Sequence, residues 1–213
     1  MSKKSVAEFL GTFTLVFVGA GAIMTGKADL LGIALAHGLA IAIMIAALGG
    51  ISGGHFNPAV TFGFLVTKRI SIEKAAQYWV SQLLGAAFAA WTLKSVYGSM
   101  AGSVGGASLS QGVSPMKAML AEGIGTFLLM LVIVGTAIDK RGSFAAGFPI
   151  GLTISSVILV IGPMTGAALN PARWFGPALV TGSWSNAWVW LLGPLLGASV
   201  AALGYNWLLN PKD

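Results

Sequence analysis

Long apolar stretches separated by short polar joints fill most of this chain. Six of them, roughly 5–26, 31–50, 75–97, 117–138, 145–163 and 187–209, approach the ~20 residues that a bilayer-crossing helix needs. Two shorter apolar runs, about 57–67 and 170–181, each begin at a polar triplet. At 1.5 Å per residue, ten or so residues reach only about 15 Å, half of a ~30 Å hydrocarbon core. These two runs are expected to be re-entrant half-helices. The predicted fold class is all-α transmembrane, with six spanning helices and two half-helices.

The triplet Asn57-Pro58-Ala59 returns as Asn170-Pro171-Ala172, 113 residues later. Each copy follows a small-residue approach, Ile51-Ser52-Gly53-Gly54-His55-Phe56 and Met164-Thr165-Gly166-Ala167-Ala168-Leu169. Ala7-Glu8-Phe9-Leu10-Gly11-Thr12-Phe13 likewise returns as Ala121-Glu122-Gly123-Ile124-Gly125-Thr126-Phe127, and Gly38-Leu39 as Gly151-Leu152. Average composition yields one such triplet at a frequency on the order of 10⁻⁴ per position, so two at matching repeat positions form a pattern. Three spans per half is an odd number. The halves are therefore expected to insert in opposite senses, an inverted repeat that places its working residues near the midplane. Residues 1–213 read as a single transmembrane channel domain, with repeats of approximately 1–97 and 117–213. The Gly/Ser-rich stretch 98–116 reads as a flexible linking loop.

Composition narrows the class further. Hydrophobic residues make up 56% and charged residues 8% of the chain, with a mean hydropathy of +0.85, too few polar groups to cover a water-facing surface. The net charge of +6 sits mainly at segment ends, which reads as a topology signal and not as a nucleic-acid patch. With the N-terminus inside, Lys3, Lys4, Lys68, Arg69, Lys74, Lys140, Arg141 and Lys212 fall on the inner side, and Lys27, Lys94 and Lys117 on the outer. That asymmetry predicts cytoplasmic termini in a multi-pass protein of the plasma (inner) membrane. The absence of cysteine excludes disulfides, thiolate metal sites and thiol catalysis. Met1-Ser2-Lys3-Lys4 before an apolar run has the look of a signal peptide, but its counterpart at mid-chain favours a retained first helix. No cofactor, metal or nucleic-acid partner is expected.

The triplet has a physical rationale. Asn is a good N-cap, and Pro at the first helical position gives up no needed donor. Half-helices entering from opposite faces bring two positive dipole ends to one point, unfavourable for a cation and harmless to a neutral molecule. Each Asn can cap its helix and still aim an NH₂ donor into the lumen. The approaches Gly53, Gly54 and His55, and Gly166, Ala167 and Ala168, are expected to turn backbone carbonyls to a wet path.

These features resemble the aquaporin (major intrinsic protein) family. The resemblance rests on both triplets, both Ala-Glu-x-x-Gly-Thr-Phe segments, Ser52-Gly53-Gly54-His55-Phe56 and Arg173 after the second triplet. It implies a homotetramer with one pore per subunit, conducting water and small neutral solutes through a lipid bilayer. It also implies a narrow outer filter, which motif position puts at His37, Ile158, Ala167 and Arg173. Arg173 supplies a permanent charge and fixed donors. This set is similar to the plant vacuolar-type filter, somewhat wider than in strictly water-selective members. Water is expected to pass, with ammonia, hydrogen peroxide and urea as candidates. Glycerol conductors usually carry Asp after the filter Arg, where this chain has Trp174. That argues against the alternative of a glycerol or small-polyol facilitator. The linking loop also lacks the His typical of ammonia-conducting vacuolar types.

The remaining polar residues have competing readings. Arg173 could snorkel at a helix end, and His37 could be a packing residue, but each is a functional candidate at its depth. His55 is expected to hold its loop in preference to gating. Glu8 and Glu122 are costly inside spans unless paired. A proton relay is conceivable, while the resemblance implies that they brace the re-entrant loops. Gly11, Gly19, Gly85, Gly125, Gly193 and Gly197 fit close helix crossings, and Trp79, Trp184 and Trp188 fit interfacial belts. Trp174 reads as packing or an interfacial anchor. Two rivals come from other classes. A secondary transporter shares inverted repeats but needs charged midplane sites beyond the two glutamates. A serine hydrolase is suggested by Gly50-Ile51-Ser52-Gly53-Gly54, which matches G-x-S-x-G formally but lies on a repeat whose counterpart has no such serine.

Overall fold

Capping side chains set where the helices begin in this computed structural model, which describes residues 2–98, 102–139 and 146–208. Ser2, Asp29, Ser71 and Ser114 each accept from a backbone N–H in the first turn of the helix they precede. The six long helices are α1 (Lys3–Met24), α2 (Leu30–Ser52), α4 (Ile72–Tyr97), α5 (Pro115–Ile138), α6 (Gly147–Thr165) and α8 (Ala187–Leu208). The two short ones are α3 (Pro58–Val66) and α7 (Pro171–Thr181). No strand occurs among the described residues. All of these helices except α4 and the short pair are long and apolar enough to cross a membrane. α4 has 26 residues but carries Glu73, Lys74, Gln77, Ser81, Gln82 and Lys94, which lower its hydropathy. The expected ends at 145 and 209, and the cations Lys140, Arg141 and Lys212, lie outside the described residues.

Glycine sets how closely the long helices approach. α2 crosses α6 at Gly38 and Gly151, where a Cβ on either would overlap the other's carbonyl oxygen, and Ser155 Oγ donates to Ala34 O at 2.9 Å. Gly85 meets the Phe9 carbonyl of α1, while Gly193 and Gly197 of α8 meet backbone of α5. Gly11, Gly19 and Gly125 are different: each faces a side chain, Phe56, His37 and Leu169 respectively. α1 and α5 each contain one π-turn, at Val16–Ala20 and Val134–Ile138.

Within the linking loop, residues 104–110 rest on the helices, contacts that its Gly/Ser-rich composition does not announce. Ser110 N–H and Oγ donate to Met164 O at 3.0 Å and Pro163 O at 2.6 Å. Val104 is buried among Val16, Ala20 and Ala172, and Ala107 packs on Gly166. Sparse apolar side chains and the two Ser110 hydrogen bonds together dock this part of the loop.

Candidate functional site

The segments before the two triplets take the same unusual path. Gly53, Gly54 and Phe56 have φ of 98°, 65° and 47°, and their counterparts Gly166, Ala167 and Leu169 have 76°, 43° and 53°. Left-handed backbone at a residue with a Cβ costs roughly 1–2 kcal/mol, so Phe56, Ala167 and Leu169 must be held from outside. Glu8 and Glu122 hold them. Glu8 Oε1 accepts from Ser52 Oγ at 2.6 Å and His55 N at 3.0 Å, and Oε2 from Phe56 N at 2.7 Å. Glu122 Oε1 accepts from Thr165 Oγ1 at 2.6 Å and Ala168 N at 2.9 Å, and Oε2 from Leu169 N at 2.7 Å. Both carboxyls are fully buried, and each of these three loop donors is matched across the repeat.

Each loop carries two further braces. Ser52 Oγ and Thr165 Oγ1 accept from Gly54 N and Ala167 N. The carbonyls of Ser52 and Thr165 accept from Tyr78 Oη at 2.6 Å and Trp190 Nε1 at 3.1 Å. Sequence reasoning does not reach these partners. Tyr78 and Trp190 do one job with different side chains, so a search for identical residues passes over them. Ser52, with its proton on Glu8, is a loop brace and not a nucleophile, and His55 Nδ1 is paired with Thr61 Oγ1 at 3.0 Å. Gln82 adds a brace that the second half lacks: its Nε2 donates to Glu8 Oε2 at 2.8 Å and Thr61 Oγ1 at 3.0 Å.

The N-termini of α3 and α7 meet. Asn57 Oδ1 caps α3 through Ala59 N at 2.8 Å, and Asn170 Oδ1 caps α7 through Ala172 N at 2.9 Å and Arg173 N at 3.3 Å. Their amides then cross over. Asn57 Nδ2 donates to Leu169 O at 2.8 Å, and Asn170 Nδ2 donates to Phe56 O at 2.9 Å. One hydrogen of each NH₂ is thereby fixed on the opposite loop, and one remains.

Both asparagines lie in the wall of a cavity of about 470 Å³. One end is lined by Arg69, Thr136 and Ile138, the other by His37, Ile158 and Ala167, and apolar residues such as Ile41, Val60, Leu129 and Ile154 form the wall between. Gly53, Gly54, His55 and Ala168 also line it; Gly166 does not, because it turns toward Ala107. Pro58, Ala59, Pro171 and Ala172 are buried as helix starts packed on their neighbours, so of each triplet only the Asn reaches the cavity.

Arg173 is 1% exposed and is absent from the lining. Its Nη2 and Nε stand 3.2 and 3.4 Å from His37 Nε2, while His37 Nδ1 donates to Ile33 O at 2.9 Å. Ile33 O can only accept, so the ring carries its proton on Nδ1 and presents a lone pair to Arg173. Among the described residues, Arg173 Nη1 has no hydrogen-bond partner. Trp174 stacks on Trp190 with ring centroids 5.8 Å apart and is buried, which makes it a packing residue and not an interfacial anchor. Trp79 is half-buried and donates from Nε1 to Pro58 O at 3.1 Å, whereas Trp184 and Trp188 are exposed.

Comparison with known proteins converges on one family. Residues 1–205 match the family described as Major intrinsic protein. Aquaporin AqpM of Methanothermobacter thermautotrophicus is 41% identical, with 99% of this chain and 98% of that protein aligned. The probable aquaporin TIP3-2 of Arabidopsis thaliana is 43% identical, with 99% and 85% aligned. The X-ray structure of the aquaglyceroporin from Plasmodium falciparum superposes with a TM-score of 0.88 at 29% identity, covering 98% of this chain and 96% of that one. A matching family over nearly the whole length, on a fold with paired half-helices meeting in a cavity wall, places this chain in the aquaporin (major intrinsic protein) family.

Proposed function

We propose that the protein is a passive channel for water that excludes protons and ions. The observation that carries this reading is the pair of asparagines, each capping a half-helix and each turned to the same cavity. A water molecule at that point meets the free N–H of each amide and two helix N-termini. Accepting from both orients its own hydrogens outward, so it cannot pass a proton along a continuous chain. A cation there meets the positive ends of both helices in an apolar surround and gains too little to shed its water.

The outer filter is assigned to His37, Ile158, Ala167 and Arg173. The guanidinium charge opposes cations, while Ile158 and Ala167 leave an apolar edge and some room. Ammonia, hydrogen peroxide and urea are the further solutes that such a rim suits. Glycerol suits it less, because Trp174 is buried against Trp190 and supplies no carboxylate after Arg173. The assembly proposed is a homotetramer in the plasma (inner) membrane with both termini cytoplasmic, in keeping with the Lys and Arg distribution and with the exposed apolar faces of the long helices.

Proteoliposome light scattering after an osmotic step, run with an internal pH dye, tests the function. Fast, bidirectional shrinking and swelling with a low activation barrier and no pH change is the expected result. Rates equal to those of empty vesicles would refute it.

A further inference from the structure

We infer that Gly19 on the first helix sets the aperture at His37, acting as a positioning residue for a filter to which it contributes no atom; the inference rests on the assignment of His37 to that filter. The His37 ring is confined on three sides. Nδ1 is tied to Ile33 O one turn back on α2, and Nε2 faces the Arg173 guanidinium. The third side is α1, where the ring lies directly over Gly19: a Cβ there would stand 2.6 Å from Nε2 and 2.7 Å from Cγ. The fourth side is the cavity.

The backbone of α1 is built for this approach. Gly19 lies within the π-turn Val16–Ala20, buried against α2. A π-turn inserts one residue into the helix and rotates the residues beyond it, a distortion that recurs at functional sites. Here it turns a position without a side chain onto the ring. Gly21, two residues on, faces Leu93 of α4 instead, where a Cβ would stand 3.2 Å from the end of the Leu side chain, a tight contact that this flexible neighbour relieves by moving a few tenths of an ångström. A methyl group at position 19 therefore has one outlet for the displaced ring, which is the lumen. The ring then leaves Arg173 and narrows the passage.

The test uses the full-length protein in proteoliposomes, with variants G19A, H37A, the double variant and G21A as a packing control. Two histidines are present in the chain, so nitrogen-labelled histidine gives an assignable spectrum. In G19A the His37 resonances are expected to shift while those of His55 stay. Water permeability is expected to fall by about threefold or more, because flow is set by the narrowest point. G21A is expected to match the unaltered protein. On the H37A background, adding G19A is expected to change nothing, because no ring remains to displace. Unmoved His37 resonances in G19A, or a G19A loss that persists on the H37A background, overturns the inference. If G19A does not fold, recovery of folding in the double variant supports the ring collision, and failure to recover refutes it. If H37A alone leaves permeation and solute selectivity unchanged, the filter assignment falls, and the His37 resonances still decide the case of Gly19.

Discussion

Asn57 and Asn170 are bound to each other's loops: each donates its amide to the carbonyl that immediately precedes the other, at 2.8 and 2.9 Å. The caps and the cross-links use the same two side chains. Replacing Asn57 by Asp keeps the capping oxygen, removes the donor to Leu169 O and adds a carboxylate at the centre. The expected outcome of N57D is a lower thermal midpoint, from roughly 1–3 kcal/mol for an unmade buried bond, together with increased cation leakage. Unfolding of the purified protein and a potential-sensitive dye in vesicles read the two effects, and N170D is expected to behave alike.

Arg173 is the subject of a second expectation. R173V removes the charge and the contact to His37 at once. Urea and hydrogen peroxide uptake is expected to rise relative to water, with measurable proton leakage. Isosmotic uptake assays give the ratios, and a solute profile identical to that of the unaltered protein removes Arg173 from the filter.

Glu8 and Glu122 accept equivalent hydrogen bonds from their own loops, so the loop-bracing loss from equal substitutions is expected to be nearly equal. In E8Q or E122Q an NH₂ replaces one acceptor and is turned on N–H and O–H donors. A loss of roughly 3 kcal/mol or more is expected at either site. The halves differ at Gln82, which serves only Glu8 and Thr61. Q82L is therefore expected to lessen the additional damage of E8Q and to add independently to E122Q. A thermal-denaturation double-mutant cycle measures both couplings.

Mercurial block provides a chemical check. The chain contains no cysteine, so thiol-directed mercury compounds are expected to leave water permeation unchanged. Strong inhibition that a thiol reductant reverses contradicts the expectation.

Much of this architecture is visible in the sequence because it depends on local rules. Asn-Pro starts a helix wherever it stands, and the expected half-helices at about 57–67 and 170–181 lie within a residue or so of Pro58–Val66 and Pro171–Thr181. Glu8 and Glu122 stand out because an unpaired carboxylate is improbable at that depth. The features that are not legible depend on contacts between distant segments. Ser52 and Thr165 look like loop polar residues until their partners are known. Tyr78 and Trp190 share a role but not an identity. Trp79, expected in an interfacial belt, also donates to Pro58 O, a partner nothing in its neighbours announces. Gly19 looks like any crossing glycine, since nothing in its neighbours announces a π-turn or the ring that lies over it. The docked part of the linking loop is not legible either, because Gly and Ser content describes the freedom of a segment in isolation, while Val104, Ala107 and Ser110 decide where residues 104–110 settle.

The exchange of amide bonds between residues 57 and 170 also constrains how the chain is made. When synthesis has passed Val66, the Phe56 carbonyl and the Asn57 amide still lack the partners that they have in the folded protein, Asn170 and Leu169. Both wait for more than a hundred further residues. The centre of the channel can therefore assemble only late, and either half produced alone is expected to lack a stable middle until its counterpart is supplied.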